Sequence, residues 1–288
     1  MTSRYSTITY EVDRSGIAQV TLNRPDARNG YTVKMARELE HALKRADDDE
    51  LVRVVVLAAN GKDFCCGADL SDGAFEVDPS AGASDGEWQE PAGRCSMTVY
   101  RMSKPVIAAV QGAAVGAGAT IILSADYRLA ASDARFGFVF SRRGIYPEGA
   151  SAWFLPRLVG MGTALDWMVS GRLFGADEAK NAGLVHSVHP AGELLSAARE
   201  LAHDLVAHTA PVSVAVVRRM LYELSGDPTP DRTRVIDSRL VAGLAENPDA
   251  FEGVSSFLQK RPADFPGRVP HDLPAWLPWH SQVDPTHT

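Results

Sequence analysis

Residues 105–125 read PVIAAVQGAAVGAGATIILSA and carry no charged side chain over 21 consecutive positions. This length matches that of a membrane-spanning helix. The run, however, contains Gln111, three glycines and a leading proline, and its many alanines and glycines contribute little to transfer into lipid. We therefore predict a buried strand, a turn of small residues and a helix within a globular protein, rather than a membrane span.

The length and composition of the chain are those of a globular protein. It has 288 residues, of which 45% are apolar and 23% charged, as in an ordinary folded domain. A chain of this size buries a core without disulfides or metals. Its 29 basic and 36 acidic residues give a net charge of −7. This charge argues against nucleic acid as a partner, because binding to a phosphate backbone needs a basic surface.

The cysteines give no sign of a metal or redox site. Cys65 and Cys66 are adjacent and Cys95 stands alone, with no C-x-x-C or Cys/His ligand spacing. Residues 1–16 contain no apolar segment of the kind found in secretory signals. We therefore expect free thiols, no metal and a cytoplasmic location.

A second segment, VVVLAANGKDFCCGADL at 54–70, has the same architecture as 105–125. In each, an apolar strand, predicted at 52–59 and 104–110, runs into a turn of small residues that opens a helix. The first N–H groups of a helix lack internal partners, so two such turns could direct two N–H donors at one developing oxyanion. The alternative is that the small residues only permit close packing against a sheet.

Other motifs of catalysis and nucleotide binding are absent from the sequence. GAGATI resembles G-x-G-x-x-G, but Ile121 occupies the third glycine position. The chain contains neither the P-loop pattern G-x-x-x-x-G-K-[ST] nor a G-x-S-x-G serine elbow. These patterns therefore do not predict a nucleotide-dependent enzyme or a serine hydrolase.

The remaining periodicity predicts a mixed α/β chain. Apolar spacing predicts a helix over Val33–Ala46, capped by Thr32. Residues 71–96 are rich in Asp, Ser, Gly, Ala and Pro and predict a long loop. Residues 193–245 are mostly helical in pattern, and the six prolines beyond Arg261 predict an extended surface strap.

In this order, the motifs resemble those of the crotonase superfamily, also called the enoyl-CoA hydratase/isomerase family. The matching stretches are LNRPDARNG at 22–30, VVVLAANGKDFCCGADL at 54–70, KPVIAAVQGAAVGAGATIILSADYRLA at 104–130, ARFGF at 134–138, GIYPEGASAWFLPRLVG at 144–160, SGRLFGADEAKNAGLV at 170–185 and SSFLQKRPADF at 255–265. Together they cover about residues 5–265.

The resemblance implies an α/β fold with three parts. Residues 1–200 would form a crotonase-like ββα spiral core that binds acyl-CoA. Residues 201–261 would form a helical C-terminal trimerisation region, and residues 262–288 a Pro-rich extended tail. The implied assembly is a homotrimer or a dimer of trimers. The implied partner is an acyl-CoA thioester, with no separate cofactor because coenzyme A is part of the substrate, and no membrane.

The resemblance also implies where a thioester would bind. The oxyanion donors would be the backbone N–H groups of Ala68, in the GAD motif, and Ala117, in the GAG turn. The family usually has glycine at the second position, so the Ala117 methyl narrows the pocket. Two groups of residues resemble contacts to coenzyme A: Arg28, Ala68, Asp69 and Leu70 at its nucleotide, and Phe257 and Lys260 at the C-terminus, contributed in some members by a neighbouring subunit.

The catalytic positions depart from the hydratase pattern. Hydratases of this family use two glutamates, and the matching positions hold Thr120 and Phe140. Adding water requires one group to deprotonate it and another to protonate C2, and these two side chains can do neither. Glu148, in GIYPEGASAW, instead resembles the glutamate of the peroxisomal-type Δ3,Δ2-enoyl-CoA isomerases.

One carboxylate suffices for moving a double bond. We expect Tyr146, Trp153 and Phe140 to shield Glu148 from water and so raise its pKa. Glu148, Ala68 and Ala117 are then the predicted catalytic groups of a 3-enoyl-CoA to 2-enoyl-CoA isomerase of fatty acid metabolism. Two alternatives stay open: a hydratase (a lyase) or other crotonase-type enzyme with displaced acids, and a non-catalytic CoA-ester binding protein.

Overall fold

The computed structural model describes residues 5–71, 73 and 89–279 of the chain. The strands in this part are β1 (Ile8–Val12), β2 (Ile17–Leu22), β3 (Val54–Ala59), β4 (Val106–Val110), β5 (Ala113–Val115), β6 (Tyr127–Ala131), β7 (Arg135–Gly137), β8 (Leu173–Gly175) and β9 (Ser187–His189). The α-helices are α1 (Val33–Asp48), α2 (Pro91–Arg101), α3 (Ala117–Thr120), α4 (Ser151–Ser170), α5 (Ala176–Asn181), α6 (Leu194–His208), α7 (Pro211–Leu224), α8 (Asp231–Ala242) and α9 (Pro248–Gln259).

Six strands form the main sheet, in the order β1-β2-β3-β4-β6-β9. β1 and β2 are an antiparallel hairpin, and every later pair in this sheet is parallel. The uninterrupted apolar runs of β3 and β4 are explained by burial on both faces. Alternate residues enter two clusters: Val55, Leu57, Val106 and Ala108 in one, and Val54, Val56, Ala58, Ile107 and Ala109 in the other.

A smaller sheet, in the order β5-β7-β8, is attached to the first turn motif. Cys65 pairs with Ala114 of β5 through an isolated parallel bridge. The uncharged run of residues 105–125 forms β4, β5 and the short α3. The predicted strand and helix are confirmed, whereas part of the predicted turn is a second short strand, β5. No helix of the described residues is both long and apolar enough to cross a bilayer.

The predicted helices match the observed ones where apolar residues recur clearly at helical spacing. α1 starts after Thr32, whose Oγ1 accepts a hydrogen bond from the Met35 N–H at 3.1 Å, as an N-cap should. The predicted loop over 71–96 is wrong at its end, because α2 begins at Pro91. The remainder of that prediction falls largely outside the described residues.

The C-terminal part covers the second face of the main sheet and then forms its own core. Leu194, Ala198 and Ala202 of α6 pack on the sheet, so the boundary predicted between residues 200 and 201 falls inside this helix. α7 and α8 form a third cluster with Val269 and Leu277. The segment after α9 is therefore held by two buried side chains and is not purely a surface strap.

Gly118 of α3 lies against the backbone of Cys65, and we expect a side chain there to be costly. An added Cβ would lie 2.2 Å from the Cys65 carbonyl oxygen, which its strand pairing holds in place. Gly118→Ala should lower the free energy of unfolding by about 3 kcal/mol. Urea denaturation provides the measurement. Gly162→Ala in α4, where a Cβ meets open space, is the control, with a gain of up to about 1 kcal/mol expected. Equal stabilities would contradict the packing argument.

Candidate active site

The two small-residue turns meet through their glycines. Gly67 and Gly116 have φ of +99° and +55°, which glycine adopts readily. A Cβ on Gly116 would lie 3.7 Å from Gly67 Cα, and one on Gly67 only 3.0 Å from the Val115 carbonyl oxygen. A side chain at Gly67 would therefore prevent the two turns from lying this close together. The predicted pairing of the two motifs is what the structure shows.

The same turns leave two N–H groups without acceptors. Neighbouring backbone groups are paired: the Tyr31 N–H donates to the Gly67 carbonyl at 2.8 Å, and the Gly116 N–H to the Gly137 carbonyl at 2.9 Å. Within the described residues, the N–H groups of Ala68 and Ala117 donate to no other group. Ala117 is buried and Ala68 half-buried, and a backbone donor without a protein acceptor is available to a ligand.

Glu148 lies on a turn that packs against the first turn of α3. The next residue, Gly149, has φ +65°, and a Cβ on it would lie 2.8 Å from Thr120 Cβ. Thr120 itself is buried, and its Oγ1 donates to the Ala117 carbonyl at 3.1 Å. The backbone that carries Glu148 thus contacts the residue that replaces the hydratase glutamate.

The environment of the Glu148 carboxyl group changes its acidity. Burial raises the pKa of Glu148 to about 7, and the negative charge of Glu90 adds to the increase. Burial also raises the pKa values of Tyr31 and Cys65, and the charge of Glu148 contributes to both. Glu148 therefore lies within electrostatic reach of Tyr31, beside the first turn, and of Cys65, at its start.

The side chains predicted to shield Glu148 do so only in part. Tyr146 is 88% exposed, so its assignment as a shielding group is wrong. Phe140 is buried, whereas Trp153 is 38% exposed and packs edge-on against Phe154. The turn between Phe140 and Glu148 carries Tyr146 outward because it consists of exposed polar and glycine residues over most of its length.

Glu90 is a site residue that the sequence analysis missed. Its Oε1 accepts a hydrogen bond from the Gly149 N–H at 2.6 Å, and its Oε2 is buried with no hydrogen-bond partner in the described part of the chain. Glu90 directly precedes Pro91, the first residue of α2. A Glu-Pro pair before a helix is a recognisable signal, but it was hidden because residues 91–96 were assigned to a loop.

Four of the predicted coenzyme A contacts lie on one group of loops. Arg28 Nε donates to Asp63 Oδ2 at 2.7 Å, and the Arg28 side chain is largely exposed. Asp69 forms an ion pair with Arg24 at 2.7 Å. The hydrogen bonds from the Ser71 backbone and from Arg24 lower the pKa of Asp69 to about 2. Leu70 is 46% exposed, and Ala68 pairs with Tyr31 through an isolated parallel bridge.

The other two predicted contacts lie apart from this group. Phe257 is near the end of α9 and Lys260 follows it with φ +53°. Phe257 is 81% exposed. In the described part of the chain, neither side chain makes a hydrogen bond or ring contact with the other predicted site residues.

The raised pKa of Glu148 predicts how its replacement changes stability with pH. A carboxyl group whose pKa is higher in the folded state than the ordinary 4.5 favours folding at low pH. This contribution is lost as the pH rises through about 7. The Glu148→Gln side chain does not ionise, so the variant does not lose this stability as the pH rises. We expect the free energy of unfolding of Glu148→Gln, minus that of wild type, to be about 2 kcal/mol larger at pH 8 than at pH 5.

Urea unfolding at both pH values measures this difference. Glu200→Gln, on the exposed face of α6, is the matched control, and its difference from wild type should not change with pH. A Glu148→Gln advantage that is the same at pH 5 and pH 8 would show that the carboxyl group is not in a desolvated environment.

Comparisons with known proteins identify the family. Residues 13–268 match the model of the enoyl-CoA hydratase/isomerase family. The chain is 34% identical over 250 residues to enoyl-CoA hydratase ACTT3 of Alternaria alternata, covering 86% of this chain and 82% of that protein. It is 32% identical over 258 residues to 1,2-epoxyphenylacetyl-CoA isomerase of Escherichia coli, covering 88% and 96%.

A solved structure gives the same result. The crystal structure described as a probable enoyl-CoA hydratase/isomerase from Mycobacterium abscessus matches with a TM-score of 0.81 and 35% identity, over 90% of this chain and 98% of that one. The fold resemblance drawn from the sequence motifs is confirmed. The chain belongs to the enoyl-CoA hydratase/isomerase family, has the crotonase fold and is an enzyme of a family that acts on acyl-CoA thioesters.

Proposed function

We propose that the protein converts 3-enoyl-CoA to 2-enoyl-CoA with Glu148 as its single acid/base. The observation that carries this proposal is the position of Glu148: a partly buried carboxyl group on a turn that contacts α3, beside two unpaired N–H donors. Thr120 and Phe140, at the positions of the hydratase glutamates, are buried and carry no acid. A one-carboxylate reaction fits this set of groups.

The proposed reaction moves one proton between two carbons. The Glu148 carboxylate removes a proton from C2, next to the thioester carbonyl, and the electron pair shifts onto the carbonyl oxygen as a dienolate forms. The N–H groups of Ala68 and Ala117 donate to that oxygen. The Glu148 acid then returns the proton to C4, which leaves the double bond between C2 and C3. A base whose pKa is about 7 is well matched to proton transfer at neutral pH.

Recognition of coenzyme A is proposed from charge and exposure. The exposed Arg28 guanidinium carries a positive charge close to Ala68, where it can meet a nucleotide phosphate, and Asp69 and Leu70 complete that edge. Phe257 and Lys260 would contribute from the α9 of a neighbouring subunit. The large exposed apolar side chains of α9, Phe251, Val254, Phe257 and Leu258, support the proposed homotrimer or dimer of trimers.

Hydration with displaced acids is the second candidate. Glu90 favours it, because a second carboxyl group lies next to the Glu148 turn and hydration uses two. One oxygen of Glu90, however, already accepts a bond from Gly149, and the other is buried. Both oxygens therefore face protein, which supports the isomerase over the hydratase.

Two assays on the wild-type protein separate the candidates. Supplied with 3-enoyl-CoA, an isomerase produces the conjugated 2-enoyl thioester, which is followed by its ultraviolet absorbance. Supplied with 2-enoyl-CoA, a hydratase produces the 3-hydroxyacyl thioester, which is followed by chromatography. Rapid formation of the conjugated product with slow hydration supports the proposal. The reverse result favours the hydratase, and binding without turnover of either substrate favours a CoA-ester binding protein.

A further inference from the structure

Glu90 occupies a space that two glycines leave open. A Cβ on Gly93, one turn into α2, would lie 2.3 Å from Glu90 Oε1 and 3.0 Å from its Cδ. Gly149, on the opposite side, donates its N–H to the same oxygen. The carboxyl group is therefore folded back over the first turn of α2 and clamped between that turn and the Glu148 loop.

The other oxygen of this carboxyl group has no hydrogen-bond partner among the described residues. Glu90 Oε2 is buried and unpaired there, as is the Oγ of Ser96, one turn further along α2. A Cβ on Gly149 would lie 3.3 Å from that same Ser96 Oγ. An unsatisfied buried carboxylate oxygen is costly to keep, so its retention beside Glu148 calls for a functional explanation.

We infer that Glu90 is a positioning residue for Glu148: it fixes the peptide of Gly149 and holds a second negative charge beside the Glu148 carboxyl group. This inference rests on the proposed function for its effect on catalysis, but the interaction itself can be measured without turnover. The negative charge of Glu90 disfavours ionisation of the Glu148 carboxyl group and so raises its pKa. Glu90 would thereby keep Glu148 a stronger base than burial alone does.

The other titratable groups around the pair are neutral in the working range. Glu148 faces Tyr31 and Cys65, and burial raises the pKa of Tyr31 well above its ordinary value and that of Cys65 to about 12. Glu90 faces Cys95 of α2, whose pKa burial also raises to about 12.

The charged groups that act on these neutral side chains are themselves paired. Arg24, which acts on Cys65, forms an ion pair with Asp69 at 2.7 Å. Glu40 of α1 and Arg94 of α2, which also act on Cys95, are joined at 2.7 Å. Among the described residues, Glu90 is accordingly the charge that acts on Glu148.

Glu90→Gln separates the charge of Glu90 from its hydrogen bond. The Gln amide oxygen can still accept from the Gly149 N–H, so the loop should stay in place while the charge is lost. We expect the titration midpoint of Glu148 to fall by about one pH unit, because the remaining effect is burial. The acidic limb of the pH profile of kcat/KM should shift to lower pH by the same amount. The maximum value of kcat/KM should fall about threefold because Glu148 is then a weaker base.

Gly93→Ala changes the position of the Glu90 carboxyl group and keeps its charge, the reverse of Glu90→Gln. The added methyl displaces the Glu90 carboxyl group, which is the flexible end of a side chain, while both acids remain. An alanine also suits a helix better than glycine, so folding should be preserved. We expect the Glu148 midpoint to fall here too, and kcat to fall more than in Glu90→Gln because Gly149 loses its acceptor.

The experiment is a carboxyl ¹³C titration of protein labelled at Glu Cδ, run beside the pH profile of 3-enoyl-CoA isomerisation. The Glu148 resonance is assigned by its loss in Glu148→Gln, and Glu200→Gln is the control. A lower Glu148 midpoint in both Glu90→Gln and Gly93→Ala supports the inference. An unchanged midpoint overturns it, and so does complete loss of turnover in Glu90→Gln with an unchanged midpoint, which would make Glu90 itself a catalytic group.

Failure of the proposed function looks different. In that case the midpoints still shift, while Glu148→Gln turns over 3-enoyl-CoA as fast as wild type does. The titration therefore tests the contact between the two acids, and the rate assay tests the assignment of Glu148 as the base.

Discussion

Glu148→Gln is expected to lower kcat/KM for isomerisation of 3-enoyl-CoA by about 10²- to 10⁴-fold, the range that general acid/base catalysis contributes. The amide cannot accept the C2 proton, and in the proposed mechanism Glu148 is the single acid/base. The two N–H groups proposed as oxyanion donors belong to the backbone and remain. Substrate affinity should therefore change much less than the rate.

The measurement is the initial rate of appearance of the conjugated thioester, together with a dissociation constant for a saturated acyl-CoA. Glu200→Gln supplies the control for the loss of one remote carboxylate. Near-wild-type turnover in Glu148→Gln would remove Glu148 from the mechanism, and a parallel loss of binding would show that its role is structural.

Ala117→Pro is expected to reduce kcat/KM by about 10²- to 10³-fold, as deletion of one oxyanion-hole donor does. Proline replaces the N–H with a ring carbon, which also takes up space where the oxyanion would lie, and the first position of a helix tolerates it because that N–H has no helical partner. Within the described residues, the Ala117 N–H also has no other acceptor. The loss should therefore fall on the developing oxyanion rather than on the fold.

Ala117→Gly is the companion variant, since it keeps the N–H and removes the methyl group. We expect it to lose less than tenfold in kcat/KM. The comparison is made with 3-enoyl-CoA at pH 8, after circular dichroism has shown that both variants are folded. Equal rates for the proline and glycine variants would exclude Ala117 as an oxyanion donor.

The parts of the fold that local patterns dictate could be predicted from the sequence. The runs in β3 and β4 are apolar because both faces of these strands are covered, and α1 begins at a threonine that caps it. α2 was missed although Ala92, Cys95, Ser96 and Val99 are buried at helical spacing. Its small and polar core residues gave a weak apolar signal.

The candidate site was predictable only where a motif carried it. The two small-residue turns and Glu148 lie in recognisable stretches. The contact between Glu90 and Gly149 joins residues 59 positions apart, and no periodicity or spacing encodes such a pairing. The exposure of Tyr146 could not be deduced either, because an aromatic residue in a turn is buried or exposed according to the path of the loop in space.

The unpaired donors at Ala68 and Ala117 have an evolutionary consequence. They are supplied by main-chain atoms, so almost any substitution at either position leaves the donor intact, and only proline deletes it. The acids are side chains and are lost by a single codon change. Under the proposed mechanism, a change of the acid from the positions of Thr120 and Phe140 to Glu148 on another loop leaves both donors in place. Acid residues could then change during evolution while the backbone donors to an enolate stay the same.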